Sequence, residues 1–508
     1  LHFLAKYLKI IIGIEFGFNL TIEENGGLNM SNTAQLSARE RIISLLDDNS
    51  FVEVGAFVTK RNTNFNLQQK EIPADGVITG YGVVGGNLVY IYSQDATAMG
   101  GSIGEMHSKK IAYIYDLALK VGAPVIGLID SAGMRLQEAT DALNGFGEIY
   151  QKQALASGVI PQITAIFGNS GGGLAVMASL SDFSFMEENN ARLFVNSPNA
   201  LLGNYKEKLD TSSAKFHKTA GTVDYVGESE ADIIQKIREL ISILPNNNED
   251  DDSYEECTDD LNRLVPQLSS DIGDARKALV DISDNNYFFE IKEGYGKEMV
   301  VGFIRLNGMT VGAIANRTEI QNEEGKAIEK FDGSLTTAGC DKAAGFVTFC
   351  DAFHIPLLTL TNVNGYRATV EEEKTIAKAS AKLTYAFANA TVPKVNVIVG
   401  KAYGSAYVTM NSKHIGADMV FALPDAQIGM MDSDLAAQIM YSEEDSKTIK
   451  EKATEYADLQ SSALSAAKRG YVDAIIEPET VRKHVIYSFE MLFTKREGRP
   501  EKKHGSLL

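Results

Sequence analysis

The chain repeats itself at a constant interval, and this restricts its fold more than any other feature. Pro124, Pro161 and Gly168 lie in apolar, strand-like segments of the first half, and Pro356, Pro393 and Gly400 lie 232 residues further on in matching segments of the second. The same interval carries Gly101 to Gly333, Ser102 to Ser334, Lys110 to Lys342, Gly133 to Gly365 and Gly172 to Gly404. No insertion separates the halves across this stretch. A register held for so long predicts two copies of one α/β module, and with them two similar sites.

Each copy reads as strand, glycine turn, helix and strand. In the first half the buried run 124–129 is followed by a second at 163–167, then by Gly171-Gly172-Gly173 and the apolar segment 174–180, the pattern of stacked βα units. The second half replays this from Met299 onward. Ahead of both, Ala38-Arg39-Glu40-Arg41-Ile42 opens an amphipathic helix, with Ser37 as its cap and Glu40 closing a capping box. Between the halves, Leu244-Pro245-Asn246-Asn247-Asn248-Glu249-Asp250-Asp251-Asp252 is acidic and lacks an apolar period, which reads as an inter-domain linker. The expected domains are 30–250 and 251–508.

Composition sets the class. A chain of 508 residues, 44% hydrophobic, holds two or three full cores without staples. The net charge of −19 and the lack of a long Lys/Arg run argue against a nucleic-acid partner, because phosphate binding needs a basic face. Cys257, Cys340 and Cys350 are too scattered for a disulfide framework or a metal knuckle, so a reducing cytoplasm and no metal are expected. The apolar run 10–20 follows Lys6 and Lys9 but is too short to span a bilayer and contains Glu15. Glu24-Asn25-Gly26-Gly27-Leu28-Asn29 can be back-translated to a purine-rich GGAGG element ahead of an ATG for Met30, so residues 1–29 are expected to be an upstream extension.

Two segments point to chemistry. Gly168-Asn169-Ser170-Gly171-Gly172-Gly173 precedes Leu174-Ala175-Val176-Met177, and Gly400-Lys401-Ala402-Tyr403-Gly404-Ser405 precedes Ala406-Tyr407-Val408-Thr409-Met410. Small residues after a buried strand can bare backbone N–H groups at a helix start, where an oxyanion or developing enolate is stabilised. The bland alternative is a tight strand-to-helix crossing that uses glycine only for packing; two copies in register favour the anion role. At the neighbouring strand ends, Asp130-Ser131-Ala132-Gly133 and Asn362-Val363-Asn364-Gly365 are equivalent, and loops beyond strand ends are where α/β folds hold ligands. Arg135, Gln137 and Glu138 follow the first, and Arg367, Glu371, Glu372 and Glu373 the second; a catalytic acid pair among them is one reading, and helix caps and a solvated face are the favoured one. His107 and His414 read as structural, and no Ser/His/Asp triad is visible.

Further segments carry a family resemblance: Ala38-Arg39-Glu40-Arg41, Gly100-Gly101-Ser102 with Gly104-Glu105-Met106-His107, Ile160-Pro161-Gln162-Ile163, Phe349-Cys350-Asp351-Ala352-Phe353-His354-Ile355-Pro356, Ala390-Thr391-Val392-Pro393-Lys394-Val395, Lys401-Ala402-Tyr403-Gly404, and the tail Lys502-Lys503-His504-Gly505. With them the chain resembles the carboxyltransferase subunits of biotin-dependent acyl-CoA carboxylases and decarboxylases, the group of propionyl-CoA carboxylase β chains and methylmalonyl-CoA decarboxylase α chains. The resemblance implies two tandem crotonase-like domains, each a ββα superhelix. It also implies a site between the N-domain of one subunit, holding the acyl-CoA, and the C-domain of another, holding carboxybiotin. It assigns two oxyanion holes, one from the amides of Gly172 and Gly173 and one from those of Ser405 and Ala406. Gly101, Ser131, Ala132, Gly133, Gly365, Tyr403, Gly404 and Val408 are the expected substrate-binding residues around them. Biotin would come on a carrier protein, worked by a biotin carboxylase or a membrane decarboxylase subunit, and the chain itself would form a homo-oligomer, a hexamer built as a trimer of dimers.

The chain departs from the family in both halves. Asn169-Ser170-Gly171-Gly172-Gly173 stands where the family has Pro-Cys-Ala-Gly-Gly, and in the second half Asn364-Gly365-Tyr366-Arg367-Ala368-Thr369 stands where it has Pro-Gly-Phe-x-Pro-Gly, with Ala377-Lys378-Ala379-Ser380-Ala381-Lys382 in place of a run ending Arg-His-Gly-Ala-Lys. The expected reaction is carboxyl transfer with propionyl-CoA/methylmalonyl-CoA as first substrate pair and acetyl-CoA/malonyl-CoA as second. The rivals are a biotin-independent crotonase-type hydratase or hydrolase, for which one module would suffice, and a non-catalytic scaffold subunit.

Overall fold

The computed structural model describes residues 35–61, 72–250 and 256–502. The expectation for residues 1–29, Asp251 and Asp252 of the acidic tract, and Lys503-His504-Gly505 of the tail lie outside the described residues. The chain divides into two units, one ending at Ser242 and the other starting at Ile243.

Unit 1 opens with helix α1 (Ala38–Leu45), started by the expected capping box: Ser37 Oγ accepts the Glu40 N–H at 3.3 Å and Glu40 Oε2 accepts the Ser37 N–H at 2.8 Å. Its sheet comprises β1 (Val52–Glu53), β2 (Val77–Val84), β3 (Asn87–Gln94), β4 (Val125–Ser131), β5 (Gln162–Gly171), β6 (Phe183–Glu187), β7 (Arg192–Phe194) and β8 (Tyr225–Gly227). The order is β1-β2-β3-β4-β5-β6-β8, with β7 alongside the far end of β5. β2 and β3 form an antiparallel hairpin, and β3 through β6 run parallel. Helices α2 (Glu105–Val121), α3 (Ala139–Ala156) and α4 (Gly173–Ser179) connect them. β4 and β5 are continuous apolar runs because helices cover parallel strands on their faces. Ile126, Leu128, Ile129, Ala165, Ile166 and Phe167 are wholly buried, each large side chain among them stabilising the fold by roughly 1.5–3 kcal/mol.

Unit 2 rebuilds this plan. Its sheet holds β9 (Phe288–Ile291), β10 (Met299–Leu306), β11 (Met309–Asn316), β15 (Leu357–Val363), β17 (Lys394–Tyr403), β18 (Met419–Ala422), β19 (Gln427–Gly429) and β20 (Ala474–Ile475). Two small pairs stand apart: β12 (Glu319–Gln321) with β13 (Ala327–Lys330), and β14 (Ser334–Leu335) with β16 (Gly365–Tyr366). Helices α5 (Thr337–Ala352), α6 (Ile376–Asn389), α7 (Gly404–Thr409) and α8 (Ser433–Met440) follow in order. Each unit is thus the expected crotonase-like α/β repeat.

The duplication holds down to single hydrogen-bonded pairs. In unit 1 the β4·β5 ladder runs from Val125↔Gln162 to Ile129↔Ile166, then jumps to Ser131↔Ser170. In unit 2 the β15·β17 ladder runs from Leu357↔Lys394 to Thr361↔Ile398, then jumps to Val363↔Ala402. Every residue is displaced by the same 232, the irregularity included. The opening hairpins match at a shorter interval, Val77 with Met299, so unit 2 carries extra residues before Gly333; these form the β12·β13 hairpin. The equivalent lysines behave alike. Lys110 Nζ donates to the carbonyls of Ala74, at 2.9 Å, and Val77; Lys342 Nζ donates to those of Lys292 and Tyr295, each at 2.9 Å. Both ammonium groups tie a loop to the first helix after the hairpin.

Candidate active site

In unit 1 the turn residues singled out from the sequence come together. β5 runs past its register break to Gly171, paired with Phe194 in β7, and Gly172 then swings the chain into α4 with φ +61°. A Cβ at Gly172 would meet nothing within 4 Å, so its outer side is open. Its amide is engaged, however, donating to the Phe194 carbonyl at 2.8 Å. The sequence expectation that Gly172 and Gly173 both present donors is corrected here: the parallel β5·β7 ladder continues for one residue and takes the Gly172 N–H. The amides of Gly173 and Leu174, in the first turn of α4, have no intrahelical acceptor. They are equivalent to Ser405 and Ala406 at the interval of 232.

The loops beside this turn are locked by Ser131. Its buried hydroxyl donates to the Gly101 carbonyl at 2.7 Å and accepts the Gly133 N–H at 3.1 Å. Ala132 donates its N–H to the Gly100 carbonyl at 2.7 Å and leaves its own side chain exposed on the rim. Gly133, at φ +96°, is buried with its Cα turned toward the Gly171 carbonyl. Ser131 is therefore a brace, and Ala132 the accessible residue of the four.

In unit 2 the equivalent residues border a cavity of about 450 Å³. Gly365 and Tyr366 stand on one side, Tyr403, Gly404, Ser405 and Ala406 on another. Gly404 repeats the turn of Gly172, with φ +60°. Tyr403 is held by donating its hydroxyl to Gln427 Oε1, and burial, with Asp432 nearby, pushes its phenol up to about 12. Val408, half-buried in α7, is not among the lining residues. Asn364 and Lys401 also line it, and Met430, Met431, Asp432 and Leu435 complete the wall. Sequence reasoning missed these four, which reach the cavity because β19 pairs with the end of β17 and hands the chain to α8.

The charged residues after β4 do not form a solvated face. Arg135 is wholly buried, bonded to Asp75 Oδ1 at 2.6 Å, Glu138 Oε1 at 2.9 Å and the Ser102 carbonyl at 2.7 Å. Glu138 also accepts the Glu105 N–H at 2.6 Å, capping α2, so half of the expectation stands. Glu372 caps α5 in the same way through Thr337 N–H at 2.7 Å. Arg367, by contrast, is partly exposed, with Asp332 at 3.4 Å. Asp75 explains the difference: it comes from the loop before β2, and nothing near Arg135 in sequence announces it. A second buried group joins Arg41 to Glu230 at 2.8 Å and to Asp130 at 3.2 Å. Burial raises the Asp130 carboxyl above its ordinary range, while Arg41 opposes the shift.

Of the two histidines, His107 is structural, as expected, and His414 is exposed. His107 is buried between the Asp75 carbonyl, 3.0 Å from Nδ1, and Gln94, 3.2 Å from Nε2, and burial first, then Arg135, lowers it to about 3. It stays neutral. His414 lies edge-on to the Tyr407 ring at 5.8 Å.

Two matching strand-to-helix turns on duplicated α/β units define a comparison class. The model of the carboxyl transferase domain matches residues 31–507. The chain belongs to the carboxyl transferase family. Among its relatives is methylmalonyl-CoA decarboxylase subunit alpha of Propionigenium modestum, 40% identical over 94% of this chain and 93% of that one. The propionyl-CoA carboxylase beta chain of Roseobacter denitrificans is 39% identical, over 93% of this chain and 94% of its own. A solved structure of transcarboxylase 12S with methylmalonyl-coenzyme A and methylmalonic acid bound superposes with a TM-score of 0.87 at 36% identity, covering 93% of both chains. This carboxyltransferase has no helix, among the described residues, long and apolar enough to cross a membrane.

Proposed function

We propose that this chain moves a carboxyl group between an acyl-CoA thioester and biotin carried by a partner protein. Propionyl-CoA/methylmalonyl-CoA is the first substrate pair and acetyl-CoA/malonyl-CoA the second. One observation supports the reading above the others: in a carboxyltransferase chain, two strand-to-helix turns, at Gly172 with φ +61° and Gly404 with φ +60°, each bare the amides of the following residues. The transfer needs two such places, one for the thioester oxygen and one for the urea oxygen of biotin.

In unit 1, the Gly173 and Leu174 N–H groups donate to the thioester oxygen as it gains enolate charge, and Gly172 shapes the turn. Fixed amides need no reorganisation when charge develops, and losing one such donor costs about 2.7–4 kcal/mol of barrier. In unit 2, a cavity of about 450 Å³ with tyrosine walls suits a small neutral bicyclic urea. Ser405 and Ala406 N–H would meet its oxygen, with Tyr366 and Tyr403 flanking. Biotin, when bound, supplies the ureido nitrogen that carries the carboxyl group. The chain's own acids and bases stay out of the chemistry: Arg135, Asp75 and Glu138 are buried and bonded to one another, and His107 is neutral.

The working assembly is a homo-oligomer in the cytoplasm, served by a biotin carrier protein and by a biotin carboxylase or a membrane decarboxylase subunit. Support for oligomerisation comes from the hexamer described for transcarboxylase 12S and from exposed Leu435, Ile439 and Met440 on α8, since monomers seldom leave such patches bare. The testing experiment is decarboxylation of methylmalonyl-CoA and malonyl-CoA with and without free biotin or a biotinylated carrier. Biotin-dependent turnover, faster with methylmalonyl-CoA, is expected; turnover indifferent to biotin would replace this reading with a hydrolase.

A further inference from the structure

The register of the duplication makes it possible to compare the two turns charge by charge. Position 401 in β17 corresponds to position 169 in β5, and 362 in β15 to 130 in β4. Unit 1 has Asn169 and the carboxylate Asp130; unit 2 has Lys401 and the neutral Asn362. Lys401 therefore brings a positive charge beside the second turn where unit 1 has a neutral amide, while Asn362 is neutral where Asp130 is met by Arg41.

Lys401 is also free to act. It borders the cavity, as does Tyr403 two residues on, because alternate residues of a strand share a face. Its Nζ sits 5.9 Å from the Tyr403 ring centroid, and among the described residues no carboxylate lies within ion-pair distance of it. The cavity's one acidic lining residue, Asp432, is turned to other work, its Oδ1 accepting the N–H groups of Asp434 at 3.0 Å and Leu435 at 3.4 Å. Most lysines of this chain that reach inward are committed: Lys110, Lys342 and Lys394 each hold two backbone carbonyls. A cation without an anion, aimed into a concave site, is a receptor for an anionic ligand group.

We infer that Lys401 binds the carboxylate being transferred, holding it in the unit-2 cavity beside the Ser405 and Ala406 amides. The inference rests on the carboxyltransferase reading and adds a residue to it. The carbon–nitrogen bond to biotin breaks as the carbon–carbon bond to the acyl group forms, the α-proton of the acyl-CoA passing to the ureido nitrogen that gives up the carboxyl group, or the reverse, and the carboxylate keeps its negative charge at either end. Lys401 acts as a binding residue and not a proton carrier.

Reductive methylation with ¹³C-formaldehyde places an NMR probe on each lysine while keeping its charge, and Lys401→Arg identifies the resonance of interest. Malonate, a small dicarboxylate, is expected to shift that resonance saturably in the full chain, whereas neutral malonamide does not. A shift reproduced by chloride at equal ionic strength, or none, would overturn the inference. Kinetically, Lys401→Met is expected to lower kcat for biotin-dependent transfer roughly 10- to 100-fold, the loss typical of a hydrogen bond to a charged group, with the acyl-CoA KM little changed. Lys401→Arg should recover most of it. Equal kcat in wild type and Lys401→Met, with transfer intact, would sink the role of Lys401 alone; wild-type protein that transfers no carboxyl group would sink the broader reading, while a saturable malonate shift would still establish the anion site.

Discussion

The side chain of Asp130 lies against the bare Cα of Gly168, close enough that a methyl group there would overlap its Oδ1. Asn362 stands over Gly400 in the same way, with its Oδ1 2.5 Å from where a Cβ would be. Both glycines sit where the ladder breaks register, so close packing across adjacent strands explains why each half keeps a glycine at this point. Gly168→Ala should destabilise unit 1 by about 1–3 kcal/mol through overpacking, and Gly400→Ala unit 2 by less. Asp130→Ala in the Gly168→Ala background should recover part of the loss. Chemical denaturation of wild type, the two glycine variants, Asp130→Ala and the Gly168→Ala/Asp130→Ala double variant measures this, and additive losses of Gly168→Ala and Asp130→Ala would show that the two residues do not interact.

Arg135 and Arg367 are equivalent positions with unequal weight. Arg135→Met leaves Asp75 and Glu138 buried without their cation, a change that costs about 3–5 kcal/mol. Arg367→Met removes a partly exposed pair worth about 0–1 kcal/mol. Thermal unfolding should therefore separate the variants clearly, with Arg135→Met yielding little folded protein.

Asp182 and Asp418 occupy matching corners, each accepting the first amide of a central strand at 2.8 Å, from Gln162 and Lys394 respectively. Asp418 has Lys495 at 2.8 Å. For Asp182 burial dominates and raises the carboxyl to about 7. The folded state then holds a proton that the unfolded chain releases, so the stability from this group is present at low pH and is lost as pH rises from about 4 toward 7. Asp182→Asn should flatten that part of the stability profile and raise Tm at pH 8 relative to wild type, with little effect at acid pH. Melting curves across the range decide it, and parallel profiles would contradict the assignment.

Ser405→Pro removes one amide from the second turn while keeping a helix start that tolerates proline. On the proposed reading kcat should fall by about 10²–10³, with unchanged thermal stability and acyl-CoA KM. Steady-state kinetics with a biotinylated carrier provides the measurement; a change confined to KM would instead mean that this amide binds ground state and transition state alike.

Much of the fold was legible in the repeated spacing. Prolines and glycines at one interval demanded two matching strand pairs, and the structure reproduces the pairing residue by residue. Ser37 and Glu40 also announced their helix, since a capping box is local. The turns at Gly172 and Gly404 were legible too, because they needed only small residues at strand ends. The site was illegible where partners are distant. Arg135 meets Asp75 across 60 residues and Arg41 meets Glu230 across 189, so a charge pattern that looked solvated closes into buried clusters.

The sequence by itself determined the architecture, because a hydrophobic pattern and glycine spacing repeated in register can satisfy its backbone hydrogen bonds only by building the same ladder twice. The tertiary structure decided how the two copies differ. Phe194, brought beside β5 by the return of the chain, takes the Gly172 amide; Asp75 draws Arg135 into the interior; and β19 with α8 encloses Lys401 in a cavity without giving it an anion. Those outcomes follow from which groups meet in space, and burial then sets the energy of each meeting.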